Sequence, residues 1–221
     1  MKKARHIMAH LESLSLKDVS YEIKGRTILK HLSLSVNKGE IIGLHGNNGS
    51  GKSTLARLLV KSLVVSSGEI LWNDISYHRL SELEIKRHVL LISSTANLLE
   101  GTAEKNILLG KKLSLNTETL QILERIGLQP ASMISIGGSN LLQGQKRIIE
   151  MLRAVYCDFD MIVFDEPLIF FDAEKRDIFR SMIRKNLADK TILIIFNEEE
   201  AFAECSRLVD LQEIQENAAA G

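Results

Sequence analysis

The chain has 221 residues, of which 45% are hydrophobic and 25% charged, enough for one large domain with a substantial core or for two lobes that share one site. Its 28 basic and 28 acidic residues give a formal net charge of +0, which argues against nucleic acid or an anionic membrane as a partner. The sequence has no run of about 18 apolar residues and so predicts no membrane span, and its two distant cysteines, Cys157 and Cys205, are typical of a reduced cytosolic protein.

The N-terminal part of the chain alternates between apolar and polar residues, as antiparallel strands do. Strands are predicted over 14–23 and 27–36, with turns at Lys24-Gly25 and at 37–39. A buried strand is then expected over 41–45. It is followed by a glycine-rich loop and by a helix whose apolar face carries Leu55, Leu58, Leu59 and Leu63.

The middle of the chain changes from a mixed pattern to a helical one. Strands are predicted over 68–72 and 89–94, on either side of a short helix over 82–88. From about 97 to 158 the pattern is helical, with a break at Gln129-Pro130 because a helix does not easily continue through proline. We interpret this stretch as a helical lobe inserted in an α/β core.

Strands of a parallel sheet are predicted again in the last third of the chain. One strand covers 161–166, a second covers 191–196, and Leu208 to Leu211 closes the sheet. Between the first two, a helix is expected with its apolar face formed by Phe179, Met182, Ile183 and Leu187.

The loop after the strand over 41–45 fits the pattern G-x-x-x-x-G-K-[ST] of a P-loop. Glycines let its backbone turn tightly enough to point successive N–H groups at phosphate oxygens, and the next helix adds its positive N-terminal end. We predict that the loop binds the triphosphate of ATP, with Lys52 at the β and γ phosphates and the Ser53 hydroxyl on Mg²⁺. The predicted nucleotide-binding residues are Gly46, Asn47, Asn48, Gly49, Ser50, Gly51, Lys52, Ser53 and Thr54.

Two carboxylates end the strand over 161–166 and support this prediction. A buried strand would deliver them to the edge of the sheet that also carries the P-loop. We expect Asp165 to hold the magnesium shell and Glu166 to orient and polarise an attacking water as the catalytic carboxylate. The alternative is that both residues only cap the strand as solvated side chains.

Three motifs in order give the chain a resemblance to ATP-binding cassette (ABC) proteins over about residues 14–211. They are the P-loop, LLQGQ at 141–145 where the family has its LSGGQ signature, and MIVFDEP at 161–167. Asp172 falls where the family has the aspartate of its D-loop. The segment LLEGTAEKNILLG at 98–110 resembles a stretch of ABC exporters, which favours an exporter-type domain over an importer ATPase.

The resemblance implies a single nucleotide-binding domain over 1–221 with an α/β P-loop NTPase core, an N-terminal antiparallel β subdomain and an inserted helical subdomain. The core and antiparallel subdomain would take up 1–96 and 159–213, the helical subdomain 97–158, and a tail 214–221. In this family two cassettes bind head to tail, and each ATP lies between one P-loop and the partner's signature helix. The implied partners are a second cassette, identical or different, and the transmembrane domain of an exporter, with the chain on the cytoplasmic side of the membrane.

The signature segment departs from the family pattern. Leu142 replaces the serine and has no donor for a γ-phosphate oxygen, and Gln143 replaces a glycine and hinders close approach of the backbone. Loss of one such donor elsewhere costs about 2.7–4 kcal/mol in the transition state, so we expect a weak signature face. The segment expected to face the partner's ATP is Leu141, Leu142, Gln143, Gly144 and Gln145.

Two further departures are expected to slow hydrolysis more than binding. Ser94 replaces the glutamine that opens the family's Q-loop, and its short side chain would reach the metal only through a water. Asn197 replaces the histidine of the family's switch. Its amide can donate a hydrogen bond to the γ-phosphate but cannot exchange a proton near neutral pH.

The aromatic residue that stacks on adenine in the family is also changed. Register from the P-loop places Ile23 at that position, while Tyr21 lies on the same strand face and either substitutes for the missing aromatic or packs as an ordinary side chain. Histidines show no ligand spacing in the sequence; they are His6, His10, His31, His45, His78 and His88.

These observations leave three functions open, in order of preference. The first is an exporter cassette that binds and hydrolyses ATP, with slow or asymmetric turnover unless it pairs with a cassette of consensus signature. The second is an ATP-gated regulatory or structural subunit with little hydrolysis, because Leu142, Ser94 and Asn197 weaken the chemistry. The third, another P-loop NTPase or kinase, explains neither the LLQGQ segment nor Asp172.

Overall fold

The structure, a computed structural model, describes residues 9–93, 97–196 and 203–217. Its strands are β1 (Ser13–Ile23), β2 (Arg26–Asn37), β3 (Ile41–His45), β4 (Ser67–Trp72), β5 (Ile75–Ser76), β6 (Val89–Ile92), β7 (Gly101–Thr102), β8 (Met133–Ile134), β9 (Met161–Asp165), β10 (Thr191–Ile195) and β11 (Arg207–Asp210). Its helices are α1 (Lys52–Leu59), α2 (Glu82–His88), α3 (Ala103–Leu108), α4 (Thr117–Arg125), α5 (Gln143–Tyr156), α6 (Ala173–Asn186) and α7 (Leu211–Asn217), with short 3₁₀ turns at Tyr77–Arg79 and Ile136–Gly138.

Nine of the described strands form an antiparallel sheet and a larger sheet with parallel pairs, as predicted for an α/β chain with an N-terminal antiparallel part, and β7 pairs with β8. The antiparallel sheet has the order β2-β1-β4-β5, and its β1–β2 ladder pairs Ser13 with Asn37 and Ile23 with Arg26. The larger sheet has the order β11-β3-β10-β9-β6, and β3 runs parallel to both of its neighbours. The P-loop therefore leaves a strand that is paired on both sides.

The residues of β9 and β10 are all buried, which is the pattern of strands covered on both faces. In β1 and β2 buried and exposed positions largely alternate, because one face of an antiparallel sheet can remain solvated. These different burial patterns explain why apolar runs and alternating residues in the sequence predict parallel and antiparallel strands respectively.

The chain divides into two compact units. The first unit consists of residues up to 91, 159–163 and those from 190 onward, and the second unit consists of 92–158 and 164–189. The predicted helical subdomain, 97–158, falls within the second unit, which α6 also joins. Helix α7 continues to Asn217, into the stretch 214–221 that the sequence analysis set apart as a tail.

In the first unit, α1 supplies a central part of the apolar core. Leu55, Leu58 and Leu59 are each at most 1% exposed, as their helical spacing predicted. The expected inclusion of Leu63 in this helix is wrong, because Lys61 adopts a left-handed conformation with a φ of 54°. The N–H groups of the next two residues then bond back to the Arg57 carbonyl, which ends the helix.

In the second unit, a fully buried asparagine orders the segment 98–110. Asn106 donates from Nδ2 to the carbonyls of Leu99 (2.8 Å) and Thr102 (3.1 Å) and accepts the Leu99 N–H at 2.8 Å. Arg153 of α5 donates from Nε to the Asn106 carbonyl at 2.8 Å. The segment 98–110, which resembles a stretch of ABC exporters, is therefore attached to α5 through the hydrogen bond between Arg153 and Asn106.

None of the helices in the described ranges combines the length and the apolar composition that a membrane crossing requires.

Gly68 lies where β4 approaches a bulge of β1 and is expected to tolerate no side chain. A Cβ there would come within 2.1 Å of the Asp18 carbonyl oxygen, and the φ of 76° is left-handed. Gly68→Ala should lower the free energy of unfolding by about 3 kcal/mol or more, because it combines backbone strain with a backbone clash. Denaturant unfolding measures the loss.

Gly25→Ala is the matched control for this prediction. Its φ of 74° is nearly the same, but a Cβ there meets no atom within 4 Å. It should cost only about 1–2 kcal/mol, the price of the left-handed conformation itself. Equal losses in the two variants would contradict the assigned contact with Asp18.

Candidate nucleotide-binding site

The P-loop links β3 to α1 and has the backbone that its glycines allow. Gly46, Gly49 and Gly51 have φ values of 152°, 82° and 100°, in the region that favours glycine. A Cβ on Gly51 would also lie 2.5 Å from Leu29 Cδ2 and 2.9 Å from the Ile28 carbonyl oxygen. Both the backbone conformation and the lack of space for a side chain therefore require glycine at position 51.

Lys52, the first residue of α1, folds its side chain back over the loop. It is only 5% exposed, and its Nζ donates to the carbonyls of Gly46 (2.6 Å) and Asn47 (2.9 Å). Hydrogen bonds of this kind offset the cost of burying an ammonium group. The cation is consequently held beside the backbone of the loop, at the N-terminal end of α1, where helix geometry already favours an anion.

Two further features of the loop suit a phosphate ligand. Ser50 Oγ is buried and has no hydrogen-bond partner within the described ranges, so a polar group there is left to be satisfied. The start of α1 also carries no acidic residue in its first turn, and within the described structure no side chain caps it. The observed donor set thus fits the triphosphate predicted for this loop.

Gln215 of α7 is a loop contact that the sequence analysis missed. Its Nε2 donates to the Ser50 carbonyl at 3.3 Å, while its Oε1 accepts the Lys30 N–H at 2.8 Å. The pattern of the C-terminal residues gave no signal for this contact, because it joins positions 165 residues apart.

The two candidates for adenine contact lie on β1. Ile23 is 49% exposed at the end of the strand, and Tyr21 is partly buried against the apolar core of the first unit. Tyr21 therefore packs against the apolar core, which is one of the two roles that the sequence analysis considered for it. Stacking of either residue on adenine stays a prediction.

In the second unit, Asp165 and Glu166 differ in environment although they are adjacent. Asp165 is the last residue of β9 and is 5% exposed. Glu166 follows with a φ of 51°, a left-handed conformation that is unusual for a residue other than glycine. Its carbonyl accepts hydrogen bonds from Arg147 Nη2 at 3.3 Å and from the Ile169 N–H at 3.4 Å.

Arg147 is the main residue of this region that the sequence analysis did not identify. It lies on α5 and is 3% exposed; burial lowers the pKa of its guanidinium, while Glu150, Asp165 and Glu166 favour its charged form. Burial likewise raises the pKa of Glu150, whose Oε1 accepts the Asn97 N–H at 2.5 Å. The signal that could have identified Arg147 and Glu150 was the presence of these two charged residues among the apolar residues of the predicted helical lobe.

The signature segment forms the start of α5, as the resemblance implied for a signature helix. Leu142 is 72% exposed, and its N–H donates to Gln145 Oε1 at 2.9 Å. Gln145 also donates from Nε2 to the Ile126 carbonyl at 2.8 Å, so its amide is engaged at both ends inside the second unit. Gln143 is exposed and Leu141 is half-buried.

Gly144 lies in a crowded part of the signature segment. A Cβ would lie 2.8 Å from Lys175 Cδ and 3.2 Å from the Phe170 carbonyl oxygen, so a larger residue would require the lysine side chain and the neighbouring backbone to shift. The start of α5 therefore approaches the loop before α6 closely.

Asp172 acts as the N-terminal cap of α6. It accepts the Lys175 N–H at 2.9 Å and forms an ion pair with the Lys175 ammonium group. These hydrogen bonds hold the pKa of the Asp172 carboxyl below its usual range. A role for this aspartate toward a second cassette stays a prediction.

Two predicted site residues, Ser94 and Asn197, lie outside the described residues. Of the others, the P-loop belongs to the first unit, and Asp165, Glu166, Asp172 and the signature helix belong to the second unit.

Comparisons with known proteins agree on one family. A family model described as ABC transporter matches residues 29–169, which is more than half of the 221 residues. The glutathione/L-cysteine transport system ATP-binding/permease protein CydC of Escherichia coli is 31% identical over 83% of this chain and 34% of that protein. An ATP-dependent lipid A-core flippase of Mannheimia succiniciproducens is 26% identical over 82% of this chain and 33% of that protein.

A solved structure shows the same fold. It is a bacterial Atm1-family ABC exporter with ATP bound, with a TM-score of 0.82 at 21% identity over 95% of this chain and 38% of that chain. The chain thus spans about a third of the length of these relatives. Given the match of the family model over most of the chain, the chain belongs to the ABC transporter family.

Proposed function

We propose that this chain is the ATP-binding cassette of an ABC exporter, which binds Mg-ATP and energises transport by pairing with a second cassette. The observation that carries the proposal is the buried Lys52 ammonium, held over the glycine-shaped loop by the Gly46 and Asn47 carbonyls. The names of the relatives support it, since they describe ATP-binding/permease proteins and a flippase. The transmembrane domain would be supplied by another segment or chain and would place the cassette at the membrane.

The P-loop would hold the triphosphate through its backbone and through Lys52. Phosphate oxygens are stronger acceptors than carbonyls, so the ammonium would exchange its present partners for the β and γ phosphates. The buried Ser50 hydroxyl would gain an acceptor at the same time. Adenine would rest near Ile23 or Tyr21 of β1.

Magnesium, when bound, would neutralise part of the phosphate charge and orient the γ phosphate. We assign its ligation to Ser53 and Asp165, with Ser94 acting through a water. Glu166 would polarise the attacking water. Hydrogen bonds from Arg147 and the Ile169 N–H to the Glu166 carbonyl support this role, because they fix the backbone from which that carboxylate projects.

A second candidate function, an ATP-gated subunit with little hydrolysis, is favoured by the signature segment. Leu142 presents an exposed apolar side chain where a hydroxyl would contact the partner's ATP. The Gln145 side-chain amide already accepts the Leu142 N–H and donates to the Ile126 carbonyl. ATP held against such a face would join two cassettes while stabilising the transition state poorly, and Asn197 would add to this defect.

Lys52→Ala should weaken Mg-ATP binding about 10- to 150-fold, because a hydrogen bond to a charged group contributes about 1.5–3 kcal/mol. Direct titration of the purified chain with Mg-ATP measures the change. Lys17→Ala, which removes an exposed lysine from β1, is the control and should leave the affinity unchanged. Equal affinity in wild type and Lys52→Ala would refute the proposed function.

Glu166→Gln should lower ATP turnover by about 10²–10⁴-fold while leaving ATP affinity within about twofold, because the amide keeps the shape but loses the base. Turnover is measured with a partner cassette that carries an LSGGQ signature. Glu174→Gln, on the exposed side of α6, is the control for the same chemical change. Unchanged turnover in Glu166→Gln would remove that residue from the mechanism.

The two candidate functions differ in their response to repair of the signature. If this chain is a hydrolysing cassette, Leu142→Ser combined with Gln143→Gly should raise the ATPase rate of the chain paired with an identical copy about 10²-fold or more, because the repaired signature restores a donor to the ATP held by the other copy. If it is an ATP-gated subunit limited also by Asn197, the rate should stay at background until Asn197→His is added. Leu113→Ser, at another exposed leucine of the second unit, should change neither rate.

A further inference from the structure

Two histidines that are far apart in the sequence meet at one carboxylate in the first unit. His10 Nδ1 lies 2.8 Å from Asp160 Oδ1, and His88 Nδ1 lies 2.5 Å from Asp160 Oδ2. The potential ligand atoms of the three residues all lie within 4.8 Å of one another. Asp160 directly precedes β9, whose other end carries Asp165, and the proposed function uses none of the three residues of the cluster.

Two members of the cluster are held by their surroundings. The side chains of His88 and Asp160 are 21% and 12% exposed. The His88 ring packs edge-on against Trp72 with a centroid distance of 5.7 Å, which restricts its orientation. The backbone of Asp160 is fixed as well, since its N–H donates to the His88 carbonyl at 2.9 Å and its carbonyl accepts the Thr191 N–H at 3.3 Å.

The third member, His10, has an exposed ring on an anchored backbone. Its side chain is 73% exposed, whereas its carbonyl accepts a hydrogen bond from Asn73 Nδ2 at 2.6 Å. Trp72 Nε1 donates to the carbonyl of Ala9 at 2.9 Å, and Leu11 is 1% exposed. The ring can therefore adjust while its Cα stays beside Asp160.

The electrostatics of the cluster suit a cation. Burial by itself would raise the pKa of the Asp160 carboxyl, but hydrogen bonds from His88, His10 and the Leu11 backbone outweigh it and lower that pKa. The Asp160 carboxylate lies within hydrogen-bond distance of both imidazoles. Lys38 is the cation that interacts with it at longer range, and its ammonium is paired with Glu12 at 2.8 Å.

We propose that His10, His88 and Asp160 form a binding site for a divalent transition-metal ion, and that zinc fits it best. Two imidazole nitrogens and one carboxylate oxygen, with a water in the fourth position, are a ligand set typical of Zn²⁺, and either imidazole nitrogen can ligate. Magnesium and calcium prefer oxygen ligands and fit less well. The site is separate from the magnesium of the nucleotide.

Occupation by zinc requires a local rearrangement of the three side chains. Ligands at about 2.0–2.2 Å from a tetrahedral ion lie about 3.3 Å apart. The present contacts, which His10 and His88 make to different carboxylate oxygens, would therefore open, and both imidazoles would turn toward the one oxygen that ligates. Rotation of the Asp160 carboxylate and of the exposed His10 ring would supply this opening. The ion would take the place of the hydrogens between the two Nδ1 atoms and the carboxylate, and each neutral imidazole would then carry its hydrogen on Nε2.

The bound ion would tie the segment around His10 to the end of α2 and the start of β9. Metal binding by ligands that are brought together by folding stabilises the folded state. Zinc should therefore raise the thermal midpoint of the wild-type chain.

The test is calorimetric titration of the untagged, EDTA-treated chain with zinc chloride alone, at pH 7.5 and without nucleotide. We expect one ion per chain with a dissociation constant below about 10 μM, a free energy of about 7 kcal/mol that a three-ligand site can supply. His88→Gln and Asp160→Asn should each weaken binding at least about tenfold, and His10→Gln should do the same without affecting folding, because its ring is exposed. Zinc should also lose its effect on the thermal midpoint in all three.

His31 provides the matched control, because its Nδ1 lies 2.6 Å from Asp18 Oδ1 in a similar pair that has no third ligand in the described part of the chain. His31→Gln should bind zinc as the wild type does. The proposal is overturned if the wild type binds zinc more weakly than about 100 μM, the result expected of a hydrogen-bonded triad alone. It is equally overturned if His10→Gln binds zinc as tightly as the wild type, or if His31→Gln loses as much affinity as the cluster variants.

Discussion

The P-loop is organised around one buried cation and the carbonyls that compensate it. An ammonium group that is nearly inaccessible to water is costly unless its three donors find acceptors, and the Gly46 and Asn47 carbonyls supply two of them. Those carbonyls can turn toward Lys52 only because the loop uses backbone conformations that glycine adopts freely. The position of the charge, the path of the loop and the direction of α1 are consequently one structural constraint, and the proposed binding of a nucleotide would depend on all three.

The residues proposed for binding and hydrolysis follow the family pattern at some positions and depart from it at others. The P-loop, Asp165 and Glu166 are intact, and the structure gives each a defined environment. The changes expected to slow hydrolysis fall at Leu142, Ser94 and Asn197, and Ile23 stands where the resemblance implies an adenine-stacking aromatic. A chain with this distribution keeps the affinity of a cassette more readily than its rate, which is why the two proposed functions share every binding residue.

Much of the fold and the P-loop could be predicted because their determinants are local. Alternation identified the strands, and the glycine pattern identified the loop, although the helix after it ends before Leu63 where Lys61 takes a left-handed conformation. Residues that act through distant contacts could not be predicted. Arg147 donates a hydrogen bond to the Glu166 carbonyl only in the folded chain, and no sequence periodicity indicates that contact. The same holds for Gln215 at the P-loop and for the two histidines at Asp160.

The backbone at Glu166 has an energetic cost that the rest of the fold must offset. A left-handed conformation at a residue other than glycine costs about 1–3 kcal/mol, a large share of the marginal stability of a typical domain. Glycine or asparagine adopts this conformation more readily, so replacing Glu166 by either would relieve the strain. In the present chain the Glu166 carbonyl accepts hydrogen bonds from the buried Arg147 and from the Ile169 N–H, and these contacts hold the strained conformation in place. The orientation of this one carboxylate therefore depends on a side chain that comes from a different element, the helix α5.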